Sequence, residues 1–132
     1  MLSFLLVSLF ISLSPVEKRA VFTPDATVID YGIIEQGGDT KRELYFTNTG
    51  TSPLLVVNVN SSCGCLVPHW PKDPIPPGGR NKLGVAYDTN RLGTIQKTIT
   101  VHTNEPEPEN IHVIKITGKV TPRADVPEEQ KR

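Results

Sequence analysis

Sulfur and aromatic rings are scarce in this sequence: its 132 residues include two cysteines, one methionine and one tryptophan, and aromatic residues make up 6%. Two cysteines cannot build the multi-bridge framework of very small secreted folds, nor the two separated ligand pairs of a structural zinc site. The single methionine is Met1, at the very start of the chain, so no thioether is placed to join a copper site. Net charge is missing as well. Lys plus Arg and Asp plus Glu both number 14, which leaves no strong field to attract nucleic acid or anionic lipid. No paired carboxylates and no nucleophile with a base beside it can be named, so the sequence reads as that of a protein that is not an enzyme. Nor does any apolar run reach the roughly 20 residues that a membrane-spanning helix needs.

The longest such run, Leu2 to Leu13, is relieved only by Ser3, Ser8 and Ser12. It is too short to span a bilayer and suits the apolar region of an export signal. Residues 1–20 are therefore read as a signal peptide or N-terminal apolar segment, and the protein as periplasmic or secreted, with no stable transmembrane domain after cleavage. Removing residues 1–20 leaves 12 basic and 13 acidic side chains, an almost neutral domain.

What the sequence has in quantity is punctuation, with 12 prolines and 10 glycines. From Val21 onward, apolar residues recur at a period near two, in runs of four to eight broken by Gly, Pro, Asn and Asp. The opening strand, Thr27 to Ile34, contains a bend at Gly32. Lys41 to Thr49 points Leu44 and Phe46 to one side, and Asn48-Thr49-Gly50 ends it in a turn where the amide binds nearby backbone and glycine supplies a positive φ. Pro53 to Asn60 is apolar on both faces through Leu54-Leu55-Val56-Val57 and reads as a central strand. Leu83, Val85 and Tyr87 form the next alternation, followed by an Asp88-Thr89-Asn90 turn. Ile95, Ile99 and Val101 form another, with His102 on the opposite face. In the last run, Ile111 to Val120, Ile111 and Val113 have the opposite parity from Ile114, Ile116 and Val120, which predicts two buried faces or a bulge near Val113. His112 reads as a partly exposed sheet residue, and Glu105-Pro106-Glu107-Pro108-Glu109 as a solvated acidic loop. The expectation is an all-β, antiparallel two-sheet sandwich of about seven strands over residues 21–120, with 121–132 a flexible polar tail.

The chemically unusual segment is Ser61-Ser62-Cys63-Gly64-Cys65-Leu66-Val67-Pro68-His69-Trp70-Pro71. In an ideal strand Cys63 and Cys65 would share a face, their α-carbons about 6.6 Å apart, and a turn at Gly64 would bring them within disulfide reach. Three readings stand side by side: a disulfide or buried thiols, a copper(I) or zinc site of Cys63, Cys65 and His69 that lacks a fourth ligand, and a thiol redox pair. Trp70, between Pro68 and Pro71, either plugs an edge of the sandwich or offers an aromatic contact to a partner.

The ordered set Phe46-Thr47-Asn48-Thr49-Gly50, Ser62-Cys63-Gly64-Cys65, Pro74-Ile75-Pro76-Pro77-Gly78, Tyr87-Asp88-Thr89 and Thr103-Asn104 resembles a bacterial secreted family, Domain of Unknown Function fifteen seventy-three, over about Val28 to Val120. The resemblance implies an immunoglobulin-like sandwich found in envelope proteins, with its cysteine pair at Cys63 and Cys65 and no catalytic assignment. Leu66 departs from the threonine frequent in the family, as Gly79 and Arg80 depart from an acidic residue and glycine. The expected role is a noncatalytic structural or interaction module of the cell envelope with an unidentified envelope protein as partner, no nucleic acid and no cofactor. Copper(I), zinc or thiol redox chemistry at Cys63 and Cys65 is the alternative.

Overall fold

The computed structural model describes residues 9–12 and 17–124. Most of the expected export signal and of the expected tail lies outside the described residues. Among the described residues there are eight strands: β1 (Phe22–Pro24), β2 (Val28–Glu35), β3 (Lys41–Asn48), β4 (Val56–Ser61), β5 (Leu66–His69), β6 (Arg80–Tyr87), β7 (Gly93–Thr103) and β8 (Ile111–Thr121). They form two four-stranded sheets, ordered β1-β3-β6-β5 and β2-β8-β7-β4. The immunoglobulin-like two-sheet sandwich is as the sequence implies, with β1 and β5 added to the expected strands.

Period-two alternation builds the core. On β3, Leu44, Phe46 and Asn48 are buried while Glu43 and Tyr45 face solvent, as the side-chain alternation of a strand dictates. Leu83, Val85 and Tyr87 of β6 complete that layer, and Ile95, Ile99, Val101, Ile114 and Ile116 oppose it from the second sheet. The chain enters the sandwich before β1. Ala20 is buried, and the Arg19 backbone is held by Thr51, its N donating to Thr51 Oγ1 and its O accepting from Thr51 N.

Three expectations are corrected. The sandwich is not wholly antiparallel, because β2 runs parallel to β8, from Val28 beside Lys115 to Glu35 beside Thr121. Parallel neighbours need a long crossover, and the whole intervening domain supplies it. The segment expected as a central strand is an edge: β4 borders only β7. Leu54 is buried through a separate bridge to Ile75, and a register shift between Val56 and Asn58 turns Val57 outward. A bulge thus imitates a two-faced strand in the sequence. Finally, Ile111 and Val113 are simply exposed, at 53% and 54%, on a β7–β8 ladder that runs unbroken from Gly93 beside Val120 to His102 beside Ile111.

Candidate functional site

The cysteine segment is the corner at which the chain leaves β4, at the edge of one sheet, and enters β5, at the edge of the other. Cys63 and Cys65 are joined by a disulfide, with their α-carbons 5.1 Å apart, closer than a straight strand allows. The corner has its own hydrogen bonds. Ser61 Oγ and Leu66 N donate to Cys63 O at 2.8 and 3.2 Å, and Asp88 N donates to Cys65 O at 2.9 Å. Cys65 N donates to Cys63 Sγ at 3.1 Å, and Arg91, from the turn between β6 and β7, brings Nη1 to 3.4 Å from the same sulfur. Arg91 was not singled out from the sequence, because only the packing of that turn against the corner gives it a role.

His69 does not join the cysteines. It stands at the far end of β5 opposite Gly84, roughly 13 Å along an extended strand from Cys65. Among the described residues, no three His, Cys, Asp or Glu side chains are grouped to hold a metal ion. In the oxidised pair, moreover, neither sulfur is a thiolate, the form that binds metal.

His69 instead borders a groove of about 450 Å³ on the outer face of the first sheet. Its floor exists because Gly84 lies between Glu43 on β3 and His69 on β5 and has no side chain to fill the row. One wall is His69, Trp70 and Pro71, and the other is Lys41, Glu43 and Lys82. Trp70 is half-buried and packs on the core, with Lys72 Nζ 3.3 Å from its ring centroid, a cation–π arrangement. Lys82 Nζ donates to Glu43 Oε1 at 3.0 Å, which holds the ammonium above the usual lysine range. Arg80 pairs with Asp25, and that hydrogen bond pulls the Asp25 carboxyl below its usual range. The groove therefore combines one large aromatic wall with two lysines, Lys41 and Lys82, against the single carboxylate of Glu43.

One other reading changes in the fold, while His112 is the partly exposed sheet residue expected. Glu105 is buried at 7% exposure rather than solvated. Its Oε2 accepts from Phe22 N at 3.1 Å, and its Oε1 accepts from Thr103 Oγ1 at 2.6 Å and meets His112 Nε2. His112 in turn lies against Phe22, ring centroids 4.6 Å apart. This cluster ties β1 of one sheet to β7 and β8 of the other, and is satisfied as a buried polar group must be.

The family described as "Protein of unknown function (DUF1573)" matches residues 22–120. The chain belongs to this family. Its fold is shared with a protein of unknown function from Porphyromonas gingivalis W83, at 24% identity and a TM-score of 0.67, over 83% of this chain and 50% of that one. This member of the family thus spans half the length of that protein. It is also similar to the ASH/PapD-like domain 7 of human CEP192, at 13% identity and a TM-score of 0.64, over 92% of this chain and 99% of that one. Similarity to the periplasmic chaperone SfaE is 17% in identity, with a TM-score of 0.54 over 83% of this chain and 62% of that one. No curated protein matches the chain. Among the described residues, no helix is long and apolar enough to cross a membrane.

Proposed function

We propose that this domain is a noncatalytic interaction module of the bacterial cell envelope, exported to the periplasm or beyond, which binds a protein segment carrying carboxylates in the groove over Gly84. The observation that carries this reading is the bare Gly84 floor flanked by Trp70 on one side and Lys41 and Lys82 on the other. A tryptophan beside a recess, with basic side chains around it, is the composition of a recognition hot spot. Lys41 and Lys82 line the groove against one carboxylate, Glu43, so charge complementarity favours an acidic segment.

Strand addition, the other way in which a sandwich binds a peptide, has little to work with. The edge strand β1 contains Pro24 and the edge strand β5 contains Pro68, and each proline removes a donor from its edge. The other two edges, β2 and β4, are broken by register shifts, a device that discourages pairing with a foreign strand. Export rests on the apolar segment Leu2 to Leu13, and fits with the likeness to a chaperone that is itself periplasmic.

Trp70 is the only tryptophan, so its emission reports directly on the groove. Two matched peptide libraries, one rich in Asp and Glu and the other in Lys and Arg, are titrated while that emission is followed. Acidic members are expected to shift it. The shift should persist when Cys63 and Cys65 are both replaced by serine, and weaken at least about tenfold in Gly84→Leu, as for loss of a hot-spot contact. A β-carbon at Gly84 would lie 3.6 Å from His69 Cβ, an ordinary contact, so filling the groove leaves the sheet intact. Equal binding by Gly84→Leu and the native chain, or no preference for acidic peptides, would overturn the reading.

A further inference from the structure

The disulfide corner is asymmetric in a way that the interaction role does not use. Both hydrogen-bond donors aimed at the sulfur pair, among the described residues, meet Cys63: the Arg91 guanidinium at 3.4 Å and the Cys65 amide at 3.1 Å. The nearest acidic side chain on the Arg91 turn is Asp88, and its Oδ1 is engaged by Asn90 N at 3.1 Å. A negative charge placed on Cys63 Sγ would therefore meet a cation and an N–H dipole, the surroundings that favour a thiolate. Cys65 Sγ receives neither.

We propose that Cys63 and Cys65 form a thiol–disulfide exchange site of fixed polarity, in which an external thiolate attacks Cys65 Sγ and Cys63 departs as the thiolate held by Arg91. In the first step, the sulfur–sulfur bond between the two cysteines breaks as a new bond forms between the incoming sulfur and Cys65 Sγ. The electron pair of the broken bond stays on Cys63. In the second step, another thiolate of the reductant attacks the reductant sulfur of this mixed disulfide, and Cys65 leaves as a thiolate that takes up a proton. The protein gains two electrons, the thiol reductant becomes a disulfide, and the reverse sequence oxidises a dithiol.

The corner is built to allow such cycling. Cys65 packs against the core but is only partly buried, and Gly64 beside it is exposed, with nothing within 4 Å of the position its β-carbon would take, so an incoming thiol approaches over Gly64. The three hydrogen bonds to Cys63 O and Cys65 O, from Ser61, Leu66 and Asp88, involve neither sulfur. The disulfide can open without the sheet edges separating.

The test uses the folded, oxidised protein and reduced glutathione as the thiol. The reaction is stopped with N-ethylmaleimide, and the adducts are located by peptide mass mapping. Glutathione is expected on Cys65 and maleimide on Cys63. In a glutathione redox buffer, Arg91→Leu should lower the ratio of reduced to oxidised protein by roughly tenfold, the loss of one charge-assisted hydrogen bond, and Arg91→Lys should recover part of it. Glutathione on Cys63, an even division between the two sulfurs, or a disulfide that glutathione does not open in the folded protein would each overturn the proposal. The adduct positions are read on the native sequence, so the test stands whatever the variants do. It is also independent of the groove, whose peptide binding is measured with both cysteines replaced.

Discussion

Asn48 shows how one buried polar side chain can hold several segments together. Its Oδ1 accepts from Val21 N and Gly50 N, and its Nδ2 donates to Ser52 O and Ile75 O, with the residue fully buried. The turn after β3, the entry into β1 and the proline-rich loop before β6 all depend on it. Asn48→Ala would leave buried backbone groups without partners, and is expected to cost about 3–5 kcal/mol in denaturant unfolding. The exposed Asn58→Ala should fall within about 0.5 kcal/mol of the native chain. The neighbouring glycine serves a different end from the one its turn context implies. Gly50 has no positive φ, but a β-carbon there would sit 2.2 Å from Arg19 O, so glycine is needed for the close passage of residues 19–21.

At the scale of elements, the parallel pairing of β2 with β8 is the least regular junction in the fold and depends on two glycines. Gly32, with φ of 67°, occupies the register shift between Asp30 and Ile33. Gly118, with φ of 145°, faces it so closely that a β-carbon would come 2.9 Å from both Gly32 O and Tyr31 Cβ. Backbone in that region is strained for any other residue, and the clash adds to it. Gly118→Ala should therefore destabilise the domain by about 2–3 kcal/mol in chemical denaturation. Gly64→Ala, with open space around it and no positive φ, is the matched control and should change stability by less than about 1 kcal/mol.

For the whole molecule, the interlocking core carries the fold and the disulfide adds little. Among the described residues, twenty apolar side chains are buried in one cluster that spans both sheets, whereas the cysteines close a loop with a sequence separation of two. Chain-entropy arithmetic for so short a loop gives about 1.6 kcal/mol. Replacing both cysteines by serine should leave the circular dichroism spectrum unchanged and lower the midpoint of thermal unfolding by several degrees. Loss of cooperative unfolding would show that the corner, not the core, organises the sandwich. Groove and corner also have separate supports. The groove rests on the outer face of the first sheet, and the corner joins an edge of each sheet, so binding and exchange chemistry can be altered one at a time.

Period-two alternation through Leu44 and Phe46, Leu83 to Tyr87, and Ile95 to Val101 determined the sandwich from sequence, because a half-buried strand writes its two faces directly into residue order. The cysteine pair and Trp70 were legible in the same way, as rare residue types close together in one segment. What tertiary structure alone decided was adjacency between distant segments. The parallel neighbour of β2 lies more than eighty residues away, and the edge position of β4 was masked by the bulge that turns Val57 outward. Glu105, His112 and Phe22 meet only across the two sheets, and Arg91 reaches Cys63 from a turn 28 residues on. Alternation is a local property of a chain, but the partner of a charge or a sulfur is settled by which elements pack together.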